Sequence, residues 1–153
     1  MSSRNSFAST VRFAIIPMAM LSWLTTAAAP AAEVTGSIVD AETGIAIPCR
    51  LYIQNLDTLE WHSAKSADAT GSAVEYRKQL VASASVEIHT TLSAAEFVTQ
   101  LAPGRYRIRA EHGKEFLPAE TEISVTSQPL QFQLVLRRFA NMGKQGWYSG
   151  DTH

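Results

Sequence analysis

One cysteine among 153 residues excludes an internal disulfide, so Cys49 is expected to be a small buried apolar residue in a strand. No apolar run is long enough for a membrane anchor: Phe13 to Leu24 is about a dozen residues, short of the roughly 20 a spanning helix needs, and Pro17 interrupts it. Charge of one sign is lacking too. A formal net charge of -1, with lysines and arginines scattered, offers no basic face for phosphate backbones and argues against nucleic acid as a partner. Repeats at a fixed period are absent, and no segment of the mature chain sustains a helical period.

What is present at the amino end reads as an export signal. Arg4 and Arg12 precede the apolar run, and the alanine-rich stretch Ala27 to Ala32 follows, with Ala29 and Ala31 meeting the small-x-small rule for cleavage after Ala31. Residues 1–31 are therefore expected to be a signal peptide, its apolar part helical, and the mature protein secreted or periplasmic. About 120 residues remain, enough for one core and not for two.

From Glu33 onward, short alternating runs separated by turn residues predict an all-β domain, residues 32–138, folded as an antiparallel β-sandwich of about seven short strands. The first strand is placed at Val34 to Val39, with Asp40 to Gly44 as a turn that makes a hairpin with the next strand, Ala46 to Gln54. Pro48 there suggests a strand start or an edge. Arg50, Tyr52 and Gln54 share one face, Leu51 and Ile53 the other. Asn55 to Ser85 is assigned only loosely, Trp61 and Tyr76 tacking a long connection onto the sandwich. Strands are then expected at Val86 to His89, Glu96 to Leu101, Arg105 to Ala110, Glu120 to Val125 and Leu130 to Leu136, and Ala102-Pro103-Gly104 reads as a turn of type II character. In the clearest strand, Tyr106, Ile108 and Ala110 point inward and Arg105, Arg107 and Arg109 outward. Those arginines are either a solvated face or a basic stripe for an anionic glycan or a partner domain.

The histidines do not cluster by spacing. Glu87 and His89 share a strand face, so a Glu-x-His metal pair is conceivable, but a solvated face is the simpler reading; His62 and His112 read as exposed polar residues in loops. Ser149 stands one place too late for a Gly-x-Ser-x-Gly elbow and reads as a turn residue. Trp147 and Tyr148, two large rings in a polar stretch, suggest packing against something else.

Two stretches carry a resemblance. Val34-Thr35-Gly36-Ser37-Ile38-Val39-Asp40 with Thr43 to Pro48, and Leu101-Ala102-Pro103-Gly104-Arg105-Tyr106 with Gly113 to Pro118, resemble the carboxypeptidase-regulatory or prealbumin-like β-sandwich, an accessory module of many exported proteins. Gly146-Trp147-Tyr148-Ser149-Gly150-Asp151-Thr152-His153 resembles the opening motif of CehA/McbA-type metallohydrolases of the PHP superfamily, in which a His-x-His pair follows. The resemblance implies that residues 139–153 are a linker and the truncated start of such a domain, with His153 the first histidine of the pair. In an extended strand Asp151 would share its face and could reach the same ion.

It further implies a divalent metal, zinc, manganese or iron, in the full-length relative, held by ligands that this chain does not carry; the chain itself is expected to bind no cofactor and to be catalytically incomplete. The partners expected are the missing C-terminal catalytic domain and a carbohydrate or protein ligand. The alternative function is a stand-alone secreted β-sandwich that binds carbohydrate or protein.

Overall fold

The computed structural model describes residues 29–79 and 86–147. Its strands are β1 (Ala32–Asp40), β2 (Cys49–Asn55), β3 (Trp61–His62), β4 (Lys65–Ser66), β5 (Ala73–Gln79), β6 (Val86–Leu92), β7 (Phe97–Leu101), β8 (Gly104–Glu111), β9 (Phe116–Leu117), β10 (Ala119–Val125) and β11 (Leu130–Arg138), followed by a single 3-10 turn at Gly143–Gln145. The expected signal peptide helix lies outside the described residues. Two sheets form, one in the order β4-β7-β1-β11-β9 and the other β10-β8-β2-β6-β5, with β3 pairing β2. The molecule is an all-β sandwich, with more strands than the seven expected because Asn55 to Gln79 contributes β3, β4 and β5 and the stretch after β8 contributes β9.

Alternation explains the core. Val34 and Ile38 of β1, Leu51 and Ile53 of β2, Phe97 and Leu101 of β7, Tyr106, Ile108 and Ala110 of β8, and Leu134 and Leu136 of β11 join one buried cluster between the sheets. Each Val, Leu, Ile or Phe side chain so withdrawn from water contributes about 1.5–3 kcal/mol of gross stabilisation. Gly36 lies under the ring of Phe97: a Cβ there would sit 2.6 Å from Cζ, so only hydrogen fits. Cys49 is buried as expected, and burial pushes its thiol pKa up to about 12, which keeps it protonated and inert.

Three connections differ from the expectation. Asp40 to Gly44 does turn the chain, with the Gly44 N–H donating to the Asp40 carbonyl at 2.8 Å and Gly44 at φ 69°, but only the bridge Val39↔Ala46 follows. The chain then crosses to the other sheet, so β1 and β2 are not a hairpin. Pro48, which lacks an N–H, stands immediately before β2, a central strand between β8 and β6, and therefore marks a start and not an edge.

At Ala102-Pro103-Gly104 no type II turn forms: Gly104 is not among the left-handed residues and already begins β8, which belongs to the sheet opposite β7. The third difference is β1 with β11, which pair in parallel from Val34↔Leu130 to Asp40↔Leu136, whereas the other paired strands among the described residues are antiparallel. Strands this far apart in sequence are joined by no tight turn, so nothing local forces them antiparallel.

Edges are kept short or charged. β4 and β9 are two residues each, β10 carries Glu120 and Glu122, and β5 carries Glu75, Arg77 and Lys78.

Candidate functional site

The chemistry-bearing side chains gather on the outer face of the six-stranded sheet. β2 supplies Arg50, Tyr52 and Gln54 on one side of its pleat, with Leu51 and Ile53 buried on the other, as the alternation predicts. Register then fixes their neighbours: Tyr52 stands opposite Arg109, Gln54 opposite Arg107, and Arg50 opposite Glu111. β10 continues the rows with Glu120 opposite Arg109 and Glu122 opposite Arg107.

Beyond Leu51 the β2–β6 ladder stops, and β3 takes the vacant edge of β2 with Trp61 opposite Gln54. This places the indole edge-on to Tyr52, with ring centroids 6.5 Å apart. On the other side of Tyr52 lies His89 at 5.3 Å, and His89 in turn stacks on Tyr76 of β5 at 5.0 Å and 24°. A continuous row of rings, Trp61, Tyr52, His89 and Tyr76, thus crosses strands β3, β2, β6 and β5.

The arginines do not make a basic stripe. Arg107 lies 3.1 Å from Glu120 and 3.3 Å from Glu122, Arg109 is paired with Glu111 at 2.5 Å, and Arg105 with Asp57 at 2.9 Å. The Arg105 guanidinium holds the Asp57 carboxyl below its usual range by donating to it, and Arg105 is itself raised by the same bond. Such exposed pairs add little stability, but they cancel the field an anionic ligand would need. Arg109 also stands over the Tyr52 ring, 6.0 Å from its centroid, and burial followed by the Glu111 charge raises the Tyr52 phenol.

Tyr52, Gln54, Trp61, Ile88, Arg107, Arg109 and Glu120 line a cleft of about 270 Å³ on this face. That is just under the roughly 300–1,000 Å³ of enclosed small-molecule sites, so the cleft suits one ring or one flat group of a larger ligand.

Each histidine differs from its sequence reading. His89 is only 5% exposed, not solvated, because Tyr52 and Tyr76 cover it from the two neighbouring strands. Its Nδ1 lies 3.6 Å from Glu87, beyond hydrogen-bond reach, and has no partner. Desolvation first and the Arg50 charge second lower its pKa, with Glu87 and Glu111 opposing, so the imidazole is neutral at pH 7.

His62 is half-buried, its ring edge-on to Tyr106 at 5.5 Å, and burial lowers its pKa as well. His112 is partly covered, packed on Phe116 at 4.8 Å with Nδ1 against the Pro48 carbonyl. No three His, Cys, Asp or Glu side chains among the described residues gather as a metal site. Asp151 and His153, with Tyr148 and Ser149, lie outside the described residues. Trp147 is 67% exposed.

Tyr52 was legible as an outward residue of β2, and the period-two pattern could have found it. Trp61, Tyr76 and His89 become a site only through the pairing of β3 and β5 with β2 and β6, which no local pattern encodes. No helix among the described residues is long and apolar enough to cross a membrane. In comparisons with protein-family models and with curated proteins, nothing matches this chain.

Proposed function

We propose that this chain is exported and that its sandwich, residues 32–138, is a recognition module serving a metal-dependent hydrolase. The observation that carries the recognition half is the row of rings across one sheet face. Tyr76 is 41% exposed and Tyr52 and Trp61 are half-exposed, all pointing away from the core that would otherwise explain them. Export is supported by the leader pattern of residues 1–31.

The hydrolase half is supported by the run Gly146 to His153, which resembles the opening of a PHP-type metallohydrolase domain. The imidazole of His153 and the carboxylate of Asp151 are donors suited to zinc, manganese or iron, and such an ion would supply an activated water. Two ligands are fewer than a hydrolytic ion requires, so the remaining ligands would come from a catalytic domain. A second reading, a self-sufficient binding module, is favoured by the same ring row, which lies wholly within residues 32–138.

The full chain passed over immobilised polysaccharides and extracellular proteins tests recognition: retention by at least one is expected, and none defeats it. Reading the codons beyond His153 separates the two settings. A histidine two positions on, followed by further His and acidic residues, supports the hydrolase, and unrelated sequence leaves the stand-alone module.

A further inference from the structure

Within the recognition reading, on which the following rests, the cleft between Trp61 and Arg107 narrows the ligand class. We infer that it binds a neutral saccharide unit of a larger glycan, the sugar's apolar face lying against the Trp61 indole beside Tyr52 and its hydroxyls meeting the polar rim.

Shape is the first ground. The cleft is about 270 Å³ and lies on the outer face of a sheet, room for one ring of a chain whose other units lie outside. The second is the mixture of surfaces. Two half-exposed rings, centroids 6.5 Å apart, sit beside Gln54, Arg107, Arg109 and Glu120, so aromatic and hydrogen-bonding groups face the same space. A pyranose has that same division, C–H groups on a face and O–H groups around an edge, and needs both donors and acceptors.

Charge supplies the third and decides between ligand classes. Arg107 and Arg109 face Glu111, Glu120 and Glu122, two guanidiniums against three carboxylates, all in ion-pair range. An acidic glycan or a phosphate would have to displace those carboxylates, and a cationic ligand would meet the guanidiniums; a neutral polyol accepts from one and donates to the other without breaking the pairs. The Trp61 backbone is held by its ladder to β2 and its ring by the edge contact with Tyr52, and Gln54 is tethered through its side-chain amide to the Leu59 carbonyl at 3.4 Å, so little freedom is lost on binding.

Native-gel affinity electrophoresis of the full chain in soluble neutral polymers (β-glucan, xylan, mannan, starch) and in polygalacturonate tests this, with thermal melts of each variant alongside. Retardation by at least one neutral polymer is expected, unchanged between low and high salt, because an uncharged ligand leaves no attraction for salt to screen. Trp61→Ala should weaken it about tenfold or more, as loss of an aromatic anchor does. Gln54→Ala, a change on the exposed side of β2, should weaken it several-fold and keeps the test open if Trp61→Ala does not fold.

Binding confined to polygalacturonate and abolished by salt would overturn the assignment, as would retardation that neither variant moves. Retention by a protein but by no polymer also overturns it while leaving the recognition reading intact; retention by neither removes both.

Discussion

Removing one oxygen atom from the centre of the sandwich should measurably weaken it. Tyr106 is fully buried, and its hydroxyl donates to the Ala102 carbonyl at 2.9 Å, across the crossing that takes the chain from β7 to β8. Tyr106→Phe keeps the ring, its packing against Leu51, Ile53 and Ile108 in the same core cluster, and its edge contact with His62, so no cavity larger than an oxygen opens. What is lost is one hydrogen bond between neutral groups, worth about 0.5–1.5 kcal/mol net. Ala102 is exposed, so its carbonyl can return to water, and the added penalty of a stranded buried acceptor does not apply. For a domain of around 100 residues, 1 kcal/mol moves Tm by about 4–8 °C, so a fall of roughly 2–12 °C is expected. Urea titration of the two proteins measures the same quantity, and the slope should not change because the surface exposed on unfolding is the same. Coincident urea midpoints would refute the reasoning, as would a midpoint shift accompanied by a changed slope, which would put the effect in the unfolded chain.

Gly36→Ala should destabilise by about 1–3 kcal/mol in the same titration, because a methyl group at 2.6 Å and 2.8 Å from two ring carbons of the fully buried Phe97 forces the core apart; an unchanged midpoint would mean the ring moves freely. Leu59→Gly should go the other way. Leu59 is 66% exposed at φ 62°, where an L-residue costs roughly 1–2 kcal/mol, and glycine's larger entropy loss of about 0.5–1 kcal/mol leaves a net gain of the order of 0.5–1 kcal/mol; a lower midpoint would show that its side chain is needed. Acid should weaken the fold before carboxylates titrate. The folded pKa values of His89 and His62 lie below that of a free imidazole, so below about pH 6.5 the unfolded chain binds protons the folded chain refuses, and stability falls with pH until the folded pKa values are passed. Melts at pH 7.5 and 5.5 check this: His89→Gln should lose less Tm between them than the native chain, and an equal loss would mean that His89 is not the group being charged.

Much of this fold could be read from alternation, and the exceptions share a cause. β8 and β11 bury one face on the core and expose the other, so their sequences alternate and were placed correctly from Arg105 to Ala110 and from Leu130 to Leu136. β5 inverts the contrast: Val74 at 61% exposure and Tyr76 at 41% share the outward face while Glu75 and Arg77 take the other, so its alternation marks no buried apolar face. The switch of sheet after Asp40 and again after Leu101 was illegible for another reason. A turn such as Asp40 to Gly44 dictates only that the chain reverses, and the same reversal serves a hairpin or a crossing; which one forms depends on β11 occupying the place beside β1 that a hairpin partner would take.

That competition also makes the candidate site. Because β11 and β7 flank β1, β2 is sent to the opposite sheet and becomes its centre, with β8 on one side. On the other side β6 pairs only as far as Leu51 and then gives way to β3, so two strands share one edge of β2. Trp61 and His89 are thereby brought to opposite sides of the same tyrosine, although one sits in a two-residue strand and the other in a seven-residue one. An uninterrupted β2–β6 ladder would seat a β6 residue where the indole now lies, removing the aromatic wall that faces Arg107 across the cleft. The break in the ladder therefore gives the cleft its indole, and extending the β2–β6 pairing past Leu51 should abolish binding on this face without unfolding the sandwich.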